Sequence, residues 1–230
     1  LASLKPADVL SCLEECPVSK LKEYPLALLV LMRSMFNWKQ IPKMLELKEM
    51  LIQSIQEHPE WSQEEKGNLL GECDLIMSFL MYNDISKMSQ FHRNASAQMS
   101  RPAISIRREG GWTFGSPSVL MMFHRDPGSL AKELSEMQEC MPHYYKVTNG
   151  HGQGAERIML AEAKYLQGHF VDAQISLENA YAHIAGNGQE NIALCCDFLM
   201  YRLSLAMGHR PEKSFQDRQE ELHRKHNVSW

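Results

Sequence analysis

The chain has 230 residues, enough to bury a sizeable core as one elongated array or as two compact domains. Its 24 basic and 28 acidic residues nearly balance, and no block of like charge is long enough to be a nucleic-acid footprint. No apolar run reaches membrane-spanning length and no signal-peptide pattern opens the chain, so a cytoplasmic location is expected.

In chain order, 6–16 reads as one lone helix with Val9, Leu10 and Leu13 on its apolar side. In an array of helix pairs this is half a unit, so 1–16 is expected to be the remainder of a preceding repeat, and the chain to be a piece of a longer protein. Leu28, Leu29, Met32 and Met35 then lead to a turn near Asn37, and Ile41, Met44, Leu45, Leu51, Ile52 and Ile55 follow it. Ser62, with Glu65 three residues on, has the pattern of a capping box. It opens a helix bearing Leu69, Cys73, Ile76 and Leu80. After a turn near Asn83 come Ile85, Met88, His92, Ala95 and Met99. Steps of three and four place each set on one helix face. The short run Ala103-Ile104-Ser105-Ile106 is the one β-like candidate and is too short to found a sheet. Ser116-Pro117 suggests a serine N-cap with proline at the first helical position, ahead of Val119, Leu120 and Phe123. Beyond a turn near Pro127, Leu130, Leu134, Met137 and Met141 continue the helical spacing.

The clearest repeat signal is 161–180. Ala161, Ala173 and Ala180 are small, Gly168 marks a turn, and Phe170 and Leu177 are sized to fill the gap between two helices. A last strong helix carries Ile192, Cys195, Leu199, Leu203 and Ala206 before a turn near Gly208. Successive turns lie roughly forty residues apart, a period of degenerate helix pairs. The expected fold is therefore all-α, a right-handed superhelix of antiparallel tetratricopeptide-like helix pairs over 17–208. The highly polar 209–230 forms a cap or connector. The six cysteines fall mostly at apolar helix positions and form no four-ligand zinc pattern, so reduced, largely buried thiols are expected and no metal. The fifteen methionines suit an adaptable apolar lining, with core filling as their default role.

Two segments break the repeat pattern, 100–116 and 141–154. Both combine aromatics, glycines and hydrogen-bonding groups, as a binding concavity would. Because they flank one short helix pair, they are expected to meet at one end of the array. Trp112, Phe114, His143, Tyr144, Tyr145 and His151 would then line a shared cleft, with Arg107 or Arg108 at its rim. The opposing reading is that the aromatics pin the loops to the helices and the glycines permit turns. No catalytic motif appears: HExxH, GxSxG, GxxxxGK[ST] and GxGxxG are all missing. Ser116 and Ser118 beside His124 lack an orienting acid, His124-Arg125-Asp126 lacks the other kinase signatures, and His92 sits in an apolar stripe as a core residue. No catalytic residue is assigned and no enzyme is expected.

The runs Trp112-Thr113-Phe114-Gly115-Ser116-Pro117-Ser118-Val119-Leu120-Met121-Met122-Phe123-His124-Arg125-Asp126-Pro127-Gly128 and Glu139-Cys140-Met141-Pro142-His143-Tyr144-Tyr145-Lys146-Val147-Thr148-Asn149-Gly150-His151-Gly152 resemble segments of large, MalT-like LuxR-family transcriptional regulators. The resemblance extends over about 21–208. It implies an ATPase module, a central helical-repeat region and a C-terminal helix-turn-helix, with this chain similar to the central region. No phosphate-binding loop or helix-turn-helix signature is present, so neither ATP nor DNA binding carries over to this segment. ATP is expected only for the missing ATPase module. The expected role is a sensor or relay segment with a protein partner or self-association through the array, and with room for a small-molecule effector. The alternatives are a stand-alone scaffold that binds a peptide or protein, and an enzyme in a helical fold.

Overall fold

The computed structural model describes residues 4–108, 110, 117–184, 189–210 and 213–226, and no strand occurs among them. Among the described residues twelve α-helices follow one another: α1 (Pro6–Glu15), α2 (Val18–Lys22), α3 (Pro25–Asn37), α4 (Ile41–Glu57), α5 (Gln63–Ser78), α6 (Ile85–Gln98), α7 (Val119–Phe123), α8 (Leu130–Val147), α9 (Ala155–Leu166), α10 (Phe170–Ile184), α11 (Glu190–Ala206) and α12 (Ser214–His226). A 3₁₀ turn, Phe79–Met81, extends α5. Among the described residues no helix is long and apolar enough to cross a membrane.

Local chemistry sets most helix ends. Proline opens α1, α3 and α4, where a missing N–H costs nothing. Ser62 and Glu65 form the full reciprocal capping box at α5. The turns at Gly168 and Gly208 close in the same way. Each glycine has a positive φ, and the next residue's N–H bonds back to a carbonyl five residues earlier, His169 to Lys164 and His209 to Ser204. The turn after Asn37 repeats this pattern with Lys39 in the left-handed position and Gln40 N–H on the Met35 carbonyl. The serine ahead of α7 is a different one from that expected. Ser118, not Ser116, is the N-cap, its Oγ accepting from Met121 N–H. Pro117 stands before the cap, and Ser116 lies outside the described residues.

Two apolar cores share α5. The first joins α1, α3, α4 and one side of α5, and is filled by Leu28, Leu29, Met32, Met35, Met44, Leu47, Leu51 and Ile76. The second runs from the other side of α5, at Leu75, through α6 to α11. Adjacent positions on a helix point about 100° apart, so Leu75 and Ile76 serve different cores and α5 has little face left for solvent. Within the predicted stripes, Leu28, Leu29, Met32 and Met35 are fully buried, whereas Leu45 is 41% exposed. Met44, Leu47, Leu51 and Ile55 hold the core-facing side of α4, and Leu45 lies off that side.

Sequential helices pack as α3 with α4, α5 with α6, and α9 with α10. The last contact is made by the expected small residues: Ala161, Ala173 and Ala180 are fully buried, with Leu177 between them. The turn near Pro127 behaves differently. It joins α7 to α8, but α7 packs on α9, and α8 packs on α6 and α9. A five-residue helix is too short to cover an eighteen-residue partner. The segment 141–154 also begins in regular structure, since α8 runs on through Pro142 to Val147. Pro142 faces solvent, where water can meet the carbonyl its ring leaves unbonded, so irregular backbone starts only at Thr148. At the C-terminal end, α12 docks on α11. Phe215 meets Phe198 and Tyr201, and Arg218 binds Asp197 and the Tyr181 hydroxyl.

Candidate functional site

A cleft runs between α3 of the first core and the elements of the second. Its narrow middle is a cavity of about 30 Å³, lined by Arg33, Phe79, Met88, His92, Met141 and Tyr144 among others. That is room for one water or the head of a ligand. Arg33 and His151 also line a wider space of about 580 Å³ with Val30, Trp38, Ile106 and Arg107. On the other side, Tyr82 and Met122 pass into a space of about 500 Å³ with Lys39 and Arg125. Among the described residues lining these three spaces there is no aspartate or glutamate.

Arg33 is half-buried, and it is the one charged residue of α3. Its guanidinium lies 4.4 Å from the Phe79 ring centroid and 5.4 Å from that of Phe36, and Nη1 donates to Asn37 Oδ1. Burial holds its pKa below the usual arginine value. No carboxylate among the described residues pairs with it.

His92, from α6, is 2% exposed, and its ring centroid lies 4.8 Å from that of Tyr144. Ser78 Oγ donates its proton to the Leu75 carbonyl at 2.6 Å, so at 3.1 Å it accepts from His92 Nε2–H. This fixes the tautomer: Nε2 carries the proton and Nδ1 is a bare acceptor, buried and without a partner. Burial, with His143 nearby, pushes the imidazole pKa down to about 3, so it stays neutral across the physiological range. Tyr144 donates its hydroxyl proton to His151 Nδ1 at 2.7 Å, and His151 Nε2–H donates to the Gly110 carbonyl at 3.2 Å. Burial raises the Tyr144 pKa and keeps the phenol protonated.

The wall opposite α3 is held by buried polar anchors. Glu72, fully buried on α5, accepts the backbone N–H groups of Ile104 and Ser105 at 2.8 and 2.7 Å and also binds Arg101. Asn68, one turn earlier, accepts from Ser100 and Arg101 N–H and donates to Ser100 Oγ. The backbone of 100–106 thus spends its hydrogen bonds on α5 side chains, with Ala103 N–H on the Val147 carbonyl, and no strand forms. The second loop is set by conformation. Asn149, Gly150, Gly152 and Gly154 all have positive φ, which accounts for the glycine-rich sequence there. Gln189 ties the two loops together, accepting from Gly152 N–H and donating to the Arg108 carbonyl.

The two irregular segments therefore meet, by a route other than the expected helix-pair return. It is the packing of α8 on α6, together with Glu72 and Gln189, that brings them together. Of the expected site residues, Tyr144, His151 and Arg107 reach the cleft. Tyr145 turns away, giving its hydroxyl proton to Glu156 and accepting from Gly154 N–H, so it pins the second loop. His143 is half-buried on α8 and does not line these spaces, and Arg108 contributes its carbonyl to Gln189. Trp112 and Phe114 lie outside the described residues. Arg33 and His92 were not among the expected site residues. The available signal was a lone arginine in an otherwise uncharged helix.

The His124-Arg125-Asp126 triplet is structural: His124 pairs with Glu133, and Arg125 donates to the carbonyls of Met121 and Met122 at the end of α7. All six cysteines are free thiols, and burial raises the pKa of Cys73 and Cys140 to about 12. Among the described residues no group of three or more His, Cys, Asp or Glu could hold a metal ion. Comparison with protein-family models, curated proteins and solved structures gives no match.

Proposed function

We propose that this chain is a non-catalytic sensor and relay segment, built as a right-handed superhelix of antiparallel tetratricopeptide-like helix pairs. In this reading the cleft beside α3 receives an effector, and its occupancy is passed along the array to a partner or a second copy of the chain. The observation that carries the reading is that the cleft walls come from both cores, Arg33 from one side and His92, Tyr144 and Met122 from the other. A ligand that touches both halves favours one relative arrangement of them, and this differential affinity is all that a relay requires. The resemblance of 112–128 and 139–152 to MalT-like LuxR-family regulators supplies the setting: a cytoplasmic segment between an ATPase module and a DNA-binding module.

Sequencing the gene on both sides of Leu1 and Trp230 tests this. The expected result is a phosphate-binding loop upstream and a helix-turn-helix downstream. An open reading frame holding neither overturns the regulator reading and leaves a stand-alone peptide- or protein-binding scaffold.

A further inference from the structure

We infer that the cleft binds a small organic anion that carries a hydroxyl beside its acid group, with Arg33 pairing the carboxylate and His92 Nδ1 accepting from the hydroxyl. The inference rests on the sensor reading of this cleft and adds the ligand class. Three independent features lead to it.

The first is charge. Arg33 Nε and Nη2 donate to nothing among the described residues, and the guanidinium rests on Phe79 instead of an acid. Arg107, Lys39 and Arg125 line the flanking spaces, and no described acid lines any of them. Among the described residues this partly buried cation has no acid beside it, and a planar guanidinium is shaped to hold a carboxylate through two parallel hydrogen bonds. The second is the orphaned acceptor. Ser78 fixes the proton on His92 Nε2, so Nδ1 offers a lone pair and cannot itself serve an anion. Its complement is an O–H donor on the ligand, in the cavity that Arg33 also lines. The third is shape. The narrow cavity admits only a head group, while the space of about 580 Å³ on the other side of Arg33 presents Val30, Trp38 and Ile106 to an apolar body.

The test uses the full chain and three acid–amide pairs: lactate, mandelate and 3-phenyllactate, each beside its neutral amide. Binding is read by calorimetry and by the shift in melting temperature. At least one acid is expected to bind about tenfold or more tightly than its amide, because the amide forfeits the charge-assisted bonds. Arg33→Gln is expected to abolish that preference, and Arg33→Lys to retain part of it. His92→Phe keeps the ring and removes the acceptor. It is expected to erase the preference for mandelate over phenylacetate, which lacks the hydroxyl, while leaving the acid–amide preference in place. Equal binding of acids and amides by folded protein overturns the inference, as does an undiminished preference in Arg33→Gln. So does a hexaglutamate peptide that binds through Arg33 when none of the three acids does, since the occupant is then an acidic segment of a protein. None of these outcomes alters the flanking coding sequence, so failure here is separable from failure of the regulator reading.

Discussion

Glu162 shows how one buried group sets a pH response. It is 2% exposed on α9, and Oε2 accepts the Leu120 N–H at the start of α7 at 2.7 Å, while Oε1 has no partner. Burial pushes its pKa from an ordinary 4.5 up to about 7, against the opposing pull of Ser118, the Leu120 N–H and Arg202. Below 4.5 the carboxyl is protonated in both folded and unfolded chains. Between the two values the unfolded chain has released its proton and the folded chain has not. Stability from this group is therefore full below the unfolded value and falls as pH rises through the folded one, at about 1.4 kcal/mol per unit at most. Glu162→Gln removes the titration and keeps an amide oxygen for Leu120. Urea midpoints of the variant at pH 5, 6, 7 and 8 are expected to be flatter than those of the parent over this window. A variant that falls as steeply as the parent refutes the assignment to Glu162.

At the scale of elements, close helix contacts set the sign of two substitutions. A Cβ on Gly71 of α5 would stand 2.5 Å from Met99 Cγ and 3.2 Å from the Ala95 carbonyl oxygen of α6. Helix propensity alone favours alanine over glycine by about 1 kcal/mol. Met99 is 6% exposed and has little room to move, and the carbonyl is fixed in α6, so the overlap outweighs the propensity. Gly71→Ala is expected to lower stability by about 1–2 kcal/mol, read as a lower chemical-denaturation midpoint; a rise would mean that α6 yields. Ala173 is fully buried where α10 packs on α9. Ala173→Leu is expected to cost about 1–3 kcal/mol by overpacking, and an unchanged thermal melt would show that the contact is looser than its burial implies.

At the scale of the whole chain, α5 belongs to both cores and carries Asn68 and Glu72, the anchors of the loop opposite α3. Cleft width is therefore tied to the packing of one shared helix, the kind of linkage a relay needs. The pure chain is expected neither to hydrolyse ATP nor to retard a specific duplex at physiological salt. ATP turnover that a point substitution in this chain abolishes would overturn the non-catalytic reading, and sequence-specific retardation would overturn the other half.

The sequence by itself determined the helical class, the capping box at Ser62, the turns near Asn37, Gly168 and Gly208, and the small-residue contact of Ala161, Ala173 and Ala180. These rest on interactions within a few residues, or on a face that repeats every three to four positions. The cleft was partly legible: Tyr144, His151 and Arg107 were marked by their unusual segments, whereas His92 sat inside an ordinary helix stripe and Arg33 stood out only as the lone charge of α3. Only the tertiary structure decided that α7 leaves α8 for α9, that α8 continues through Pro142, and that Tyr145 is a peg while Tyr144 faces the cleft. It also decided which atoms stay unpaired, because Ser78 and Leu75 fix the proton on His92, and Phe79 takes the place of an acid beneath Arg33. Such pairings join residues far apart in the chain, and no local periodicity encodes them.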